Sequence, residues 1–298
     1  MTYGFLTIAT GDEQYYRMAD NLLRSYRYFT DKPLPFAILC DQKNAYTDAF
    51  DDVRLFPAAR RNYLDKLEMV SLLPYDVNIF IDADCLAYGD LNGLFDRFAQ
   101  ADDFSCFGRV LPLDDRTGWF EYENLGELRE RVSYVVGLHG GIYYIRRTET
   151  AKKIFDDAKG FAAEYAKYRF KGNFATPGDE PVVALSMAVN GCRPIPHDEH
   201  AILCYWEHEN AMRLDLPKGL AETRDGKLRT SLLHWGTRFT RTLLYKKQVD
   251  ELRCLEKKES AGALRAIRVR YGFAAAGQKF TSLCCRAKNK LKRTLHRA

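Results

Sequence analysis

Along the first hundred residues the hydrophobic pattern switches repeatedly between two periods. Phe5-Leu6-Thr7-Ile8-Ala9-Thr10 is a short apolar, β-branched run that stops at Gly11-Asp12, the pattern of a buried strand. Tyr15, Met18, Ala19, Leu22, Leu23 and Tyr26 then recur at helical spacing. Beyond Pro33 and Pro35, Phe36-Ala37-Ile38-Leu39-Cys40 reads as a second buried strand ending at Asp41. Leu64, Leu67, Val70, Ser71 and Leu72 share one face of a predicted helix that stops near Pro74. Val77-Asn78-Ile79-Phe80-Ile81 is the next strand, and it ends at Asp82. Strands this continuously apolar, alternating with helices, predict an α/β fold with a parallel sheet covered on both faces. Ligands of such sheets bind beyond the carboxyl ends of the strands, which is where this chain puts polar residues. From about residue 105 to 240 the pattern is less regular. Tyr143-Tyr144-Ile145 follows Gly140-Gly141, Pro181–Met187 reads as a buried helix, and Leu232-Leu233-His234-Trp235 as a short strand.

Composition narrows the class. The 298 residues are 46% apolar, 13% aromatic and 29% charged, which excludes a disordered chain or a fibrous repeat. No run approaches the roughly 18 apolar residues of a membrane span. Met1–Leu6 has neither a basic n-region nor an apolar h-region, so no signal peptide is expected. The eight cysteines are scattered without a CxxC pair, and reduced thiols and a cytoplasmic location are the expectation.

The net charge of +5 conceals an asymmetry, because residues 261–298 hold ten Lys/Arg and no Asp or Glu. Within that tail, residues 279–297 fit an amphipathic helix. Phe280, Leu283, Cys284, Ala287, Leu291 and Leu295 form one stripe and Lys279, Arg286, Lys290, Arg293 and Arg297 another. The pattern suits an anionic membrane surface, at about 1 kcal/mol per basic residue, and hence the inner face of the plasma membrane. A solvated tail is the plain alternative. Nucleic acid is not expected as a partner, since no aromatic platform or recognition motif accompanies the charges.

The sharpest chemical feature is Ile79-Phe80-Ile81-Asp82-Ala83-Asp84. Period-two alternation puts Asp82 and Asp84 on the same side of an extended chain, at the ligand end of a buried strand. Two carboxylates that close repel one another unless a cation neutralises them. Metal binding is therefore the functional reading, against a merely solvated turn.

At this point the chain resembles the family-8 glycosyltransferases with the GT-A fold, glycogenin and bacterial lipopolysaccharide sugar transferases among them. Four segments carry the resemblance, in the family's order. They are Leu6–Thr10 with Tyr15 to Leu23 and Ser25; Asp65-Lys66-Leu67 through Asp82-Ala83-Asp84, Gly89-Asp90-Leu91 and Leu94-Phe95; Gly178-Asp179-Glu180; and Leu232-Leu233-His234-Trp235-Gly236. The resemblance implies a GT-A domain over 1–240, Rossmann-like with a mostly parallel central sheet flanked by helices. A basic helical extension over 241–298 follows it. The donor, a UDP-sugar, would be contacted by Ala9, Thr10, Asp12, Tyr15, Lys66, Asp82, Ala83, Asp84 and Gly141. Asp82, Asp84 and His234 would hold Mn²⁺, with Mg²⁺ the alternative, because an imidazole added to two carboxylates favours the softer ion. Glu180, with Asp179 beside it, would be catalytic in a transfer that retains anomeric configuration. The acceptor would be a glycan or glycolipid.

The chain departs from the family in three places. His139-Gly140-Gly141 stands where an Asn-Ser-Gly-like turn is usual, Glu180 replaces a Gln, and no Lys-Pro-Trp follows His234. Arg238 or Arg241 is the candidate for the missing cation. Asp179 also has a plain role as the cap of the helix that begins at Pro181. Trp119-Phe120, Tyr205-Trp206 and Trp235 are candidates for stacking on sugars, although aromatic residues more often fill cores. His197-Asp198-Glu199-His200 reads as a loop rather than a second metal site. Two rival functions remain open on sequence. One is a haloacid-dehalogenase-like phosphatase with Asp82 as nucleophile. The other is a non-catalytic nucleotide-sugar or glycan-binding protein.

Overall fold

The computed structural model describes residues 1–171 and 177–277. Twelve strands are named in chain order: β1 (Tyr3–Ala9), β2 (Phe36–Cys40), β3 (Asp52–Leu55), β4 (Val77–Ile81), β5 (Cys85–Ala87), β6 (Phe104–Leu111), β7 (Val135–Arg146), β8 (Ile195–Pro196), β9 (Ile202–Cys204), β10 (Met212–Asp215), β11 (Leu220–Thr223) and β12 (Leu232–His234). The helices are α1 (Glu13–Phe29), α2 (Leu94–Arg97), α3 (Glu149–Ala163), α4 (Asp179–Val189), α5 (Leu243–Glu256) and α6 (261–277).

Seven strands form the central sheet in the order β3-β2-β1-β4-β7-β6-β8. β3, β2, β1 and β4 run parallel, as the apolar runs of β1, β2 and β4 predict, with β3 added at the edge, while β7 is antiparallel to both β4 and β6. Strand alternation divides neighbouring residues between two cores. Leu6, Phe80 and Tyr143 point to the face covered by α3 and α4, whereas Phe5, Ile79 and Tyr144 point to the face covered by α1. Asp12 caps α1 by accepting the Gln14 N–H at 2.8 Å.

The predicted helix after residue 62 is a ten-residue 3₁₀ helix, Tyr63–Leu72. Leu64, Leu67 and Val70, three apart, eclipse one another at this tighter period and are buried, and Ser71 is exposed instead of sharing their face. The glycines after residue 138 do not interrupt structure, because β7 runs straight through Gly140 and Gly141.

A second, three-stranded sheet has the order β5-β12-β9. β12 lies antiparallel to β5 with His234 opposite Cys85, and parallel to β9 with His234 beside Cys204. A third core beneath it gathers Leu86, Leu233, Trp235 and Phe239 with Tyr245, Val249 and Leu252 of α5.

α6 docks on that body through its basic residues. Arg268 Nε lies 2.9 Å from Glu251, whose side chain is fully buried, and its Nη2 lies 2.7 Å from Asp215; Arg270 pairs with Asp250. These cations of the tail are therefore engaged internally. The amphipathic stripe at 279–297 lies outside the described residues. Among those described, no helix is long and apolar enough to cross a membrane. Arg268→Ala leaves a buried carboxylate short of a partner and is expected to cost about 1–3 kcal/mol of stability, read as a lower urea midpoint. An unchanged midpoint would show that this ion pair contributes nothing.

Candidate active site

The seam between the two sheets assembles the acids. Asp82 leaves β4 and donates its N–H to the Gly141 carbonyl at 3.0 Å, a consequence of the pairing of Ile81 with Ile142. Asp84 precedes β5, and the opposition of Cys85 and His234 brings the imidazole to it. His234 Nε2 lies 3.0 Å from Asp84 Oδ1 and 3.7 Å from Asp82 Oδ2. Thr237 Oγ1 donates to the other Asp84 oxygen at 3.1 Å and fixes its orientation.

Asp179 and Glu180 open α4 on the opposite side. Lys66 Nζ bridges the two acid pairs, 2.9 Å from Asp82 Oδ1 and 3.2 Å from Asp179 Oδ2, and donates to the Gly140 carbonyl at 3.2 Å. Tyr143 donates its hydroxyl to Asp179 at 3.0 Å, and the Gly140 N–H donates to Glu180 Oε1 at 2.8 Å. Gly140 makes room for Glu180, since a Cβ there would sit 2.4 Å from Glu180 Cγ and would force that side chain to move.

Burial and charge set the protonation of this cluster. Burial pushes Asp82 upward and outweighs the attraction of Lys66 and His234. Burial also pushes Asp84 up, but His234, with its charge and hydrogen bond, and Thr237 hold it below the ordinary carboxylate range. Burial lowers His234, yet Asp84 and Asp82 more than restore it and raise it overall. Glu180 is pushed up to about 7, first by burial and then by Asp179. The Lys66 ammonium loses to burial and gains more from Asp179 and Asp82, so it stays charged.

Two cavities meet at these acids. The larger, about 1470 Å³, is lined by Lys66, Asp82, Asp84, Asp179, Glu180 and His234 on its floor and by Trp119, Trp206 and Arg238 further out. The smaller, about 220 Å³, is lined by Thr10, Tyr15, Ala83 and Asp65, and shares Lys66, Asp82, Asp84 and Thr237 with the larger. Thr10 donates its hydroxyl to Asp65 at 2.9 Å. Of the residues expected to contact the donor, Ala9 and Asp12 fall outside both linings: Ala9 packs under α1, and Asp12 caps it. Gly141 lines the larger cavity between two imidazoles.

The aromatic candidates divide. Phe120 and Trp235 are fully buried and Tyr205 nearly so, with Tyr205 stacked on Trp235 at 4.5 Å, so none of the three can meet a sugar. Trp119 and Trp206 line the larger cavity, and Trp206 is 42% exposed with its ring edge-on to His234. Arg241 is hydrogen-bonded to Gln14 at 3.0 Å, while Arg238 faces the cavity. His197–His200 lies in a loop on the cavity rim, and Asp198 is paired with Arg97. Sequence reasoning passed over Thr237, Tyr143 and Cys204. None carries a motif signal, because Tyr143 and Cys204 are brought in by strand pairing and Thr237 by the turn that follows β12.

Asp82, Asp84 and His234 offer donors of the kind that hold a divalent cation, both acids near His234 Nε2, although the three do not draw together as tightly as Asp84, Cys85 and His234. Asp82, Asp84, Asp179 and Glu180 are four carboxyls facing one ammonium and one imidazole, an excess of negative charge that a dication at Asp82, Asp84 and His234 would relieve.

Comparison with known proteins agrees with this geometry at the level of the fold. No family model matches the chain, and no curated protein matches its sequence. Among solved structures it is similar to the crystal structure of galactosyltransferase LgtC in complex with donor and acceptor sugar analogues. That likeness has 13% identity and a TM-score of 0.51, over 78% of this chain and 87% of that one. It is also similar to apo mouse xyloside xylosyltransferase 1, at 12% identity and a TM-score of 0.48, over 80% of this chain and 99% of that one. The fold is the GT-A fold.

Proposed function

We propose that the protein is a metal-dependent glycosyltransferase that moves a sugar from a UDP-sugar to a glycan or glycolipid acceptor with retention of configuration. The observation that supports this most is the convergence of Asp82, Asp84 and His234 opposite Asp179 and Glu180. Asp82, Asp84 and His234 would hold Mn²⁺ or Mg²⁺, which when bound neutralises the diphosphate leaving group. Lys66, held between Asp82 and Asp179, would face the same phosphates, and Arg238 would supply the second cation. Thr10, Tyr15 and Ala83 would receive the nucleotide in the smaller cavity. Glu180 stabilises the cationic sugar at its reacting face or captures it briefly, and Asp179 holds a donor hydroxyl. Trp119 and Trp206 would stack on the acceptor. The basic tail would hold the enzyme to an anionic membrane surface at the inner face of the plasma membrane. Liposome co-sedimentation of the full chain against one ending at residue 277 tests that role, and equal binding would reject it.

The phosphatase reading needs Asp82 as a free nucleophile, and here Lys66 at 2.9 Å and His234 at 3.7 Å engage it. The deciding experiment is a panel of UDP-sugars with Mn²⁺, scored for slow donor hydrolysis. One sugar should release UDP, only with metal. Metal-dependent UDP binding with no release from any donor would make the protein a binder, and phosphate release from an aryl phosphate would make it a phosphatase.

Gly141→Ala is a second test, directed at His234. A Cβ at residue 141 would sit 2.7 Å from His234 Nδ1 and 2.8 Å from His139 Cε1, so the imidazole must move. Mn²⁺ affinity is expected to fall about 10–100-fold, as when a ligand's support is removed. Unchanged affinity in a metal titration would remove His234 from the ligand set.

A further inference from the structure

We propose that His139, Cys204 and His234 form a second, thiophilic cation site in the wall of the larger cavity, one that takes Zn²⁺ and excludes the catalytic dication by capturing His234. The ligand atoms of these three residues lie within 4.8 Å of one another. His139 Nε2 and Cys204 Sγ are 2.8 Å apart, and β9 carries Cys204 into register with His234. Two nitrogens and one sulfur make a softer set than the carboxylates of Asp82 and Asp84, and soft sets select zinc over manganese or magnesium.

The imidazole of His234 is the hinge between the two sites. Its Nε2 faces Asp84 at 3.0 Å, whereas Nδ1 is buried with no hydrogen-bond partner on the side of Gly141 and His139. A proton on Nε2 donated to Asp84 leaves the Nδ1 lone pair free, which is the carboxylate–histidine–metal arrangement of zinc proteins. A cation at Nδ1 keeps that proton in place and so denies Nε2 to a metal at Asp82 and Asp84. Binding releases the Cys204 thiol proton to solvent, together with the Nδ1 proton of His234 from the molecules in which that imidazole is charged. The His139 proton moves from Nε2 to Nδ1, at the expense of the 3.1 Å hydrogen bond that Nδ1 accepts from Gly141.

The test uses the full chain, stripped of metal and titrated with Co²⁺ as a spectroscopic substitute for Zn²⁺. A thiolate-to-cobalt charge-transfer band should appear, saturate stoichiometrically and vanish on adding Zn²⁺. Cys204→Ser should lack the band. Cys85→Ala should keep it, Cys85 being the other thiol beside His234 and Asp84. No band in the unaltered protein, a band surviving Cys204→Ser, or a band lost in Cys85→Ala overturns the proposal. Where Cys204→Ser does not fold, His139→Asn decides: Zn²⁺ affinity falls about 10-fold or more, and an unchanged affinity overturns the site. A second arm rests on the transferase reading: stoichiometric Zn²⁺ should weaken Mn²⁺ binding, followed by electron paramagnetic resonance, by about 10-fold or more. Undiminished Mn²⁺ binding refutes the exclusion, whereas no Mn²⁺ binding without Zn²⁺ refutes the transferase reading and leaves the cobalt band to judge the thiol site.

Discussion

Asp84→Asn is expected to lower metal-dependent donor cleavage by about two to three orders of magnitude, the usual cost of removing a preorganised electrostatic partner. The substitution is nearly isosteric, so the amide can still accept from Thr237 and the backbone need not move. What disappears is the charge that raises His234 and that a dication needs. Mn²⁺ affinity and turnover should therefore fall together, while circular dichroism and the melting temperature stay close to those of the parent. Wild-type turnover with wild-type metal affinity would defeat the metal assignment at its strongest point. Asp82→Asn is a less clean experiment, because Lys66 loses a partner at 2.9 Å and a buried ammonium is left under-compensated.

Glu180→Ala should abolish sugar transfer while leaving nucleotide binding intact. Glu180 lies across the cavity from the metal ligands and touches the smaller cavity nowhere, so its loss should appear in kcat and hardly in the affinity for UDP. A fall of about 10²–10³-fold is the scale for a group that acts only on the transition state. Unchanged turnover would reject the assignment. The sign of its pH dependence follows from a carboxyl raised from its ordinary value to about 7. Below about 7 the group is neutral and cannot stabilise a sugar cation, so turnover should rise through that pH, with the limb removed in Glu180→Gln. Stability moves the other way. The folded state binds a proton that the unfolded chain has already lost between its ordinary pKa and about 7. Stability contributed by Glu180 is thus complete below the unfolded value and is lost as pH rises through the folded one. Glu180→Gln should therefore melt above the parent at pH 8 and match it more closely at pH 5.

β1, β2 and β4 were legible because they are buried on both faces and largely apolar, whereas β3, Asp52-Val53-Arg54-Leu55, is half-exposed at the sheet edge and carries no such signal. The 3₁₀ helix at Tyr63–Leu72 was misread as an ordinary helix because apolar residues at intervals of three satisfy either period over a short run. The aromatic candidates show the same limit. Trp206 and Trp235 look alike in sequence, yet one is 42% exposed at the cavity and the other fully buried.

The chain alone determined that two carboxylates follow the end of a buried strand, but not by alternation: β4 stops at Ile81, and Asp82 to Asp84 form a turn closed by the Cys85 N–H on the Asp82 carbonyl at 3.1 Å. It also set the acidic start of α4 and the basic excess of residues 261–298. Which distant groups join them was decided by register. Ile81 against Ile142 brings Gly141 to Asp82, and Cys85 against His234 brings the imidazole to Asp84. Leu233 and His234 against Leu203 and Cys204 bring the thiol. Register depends on how two faces of each sheet bury together, a property of the assembled layers that no single segment contains.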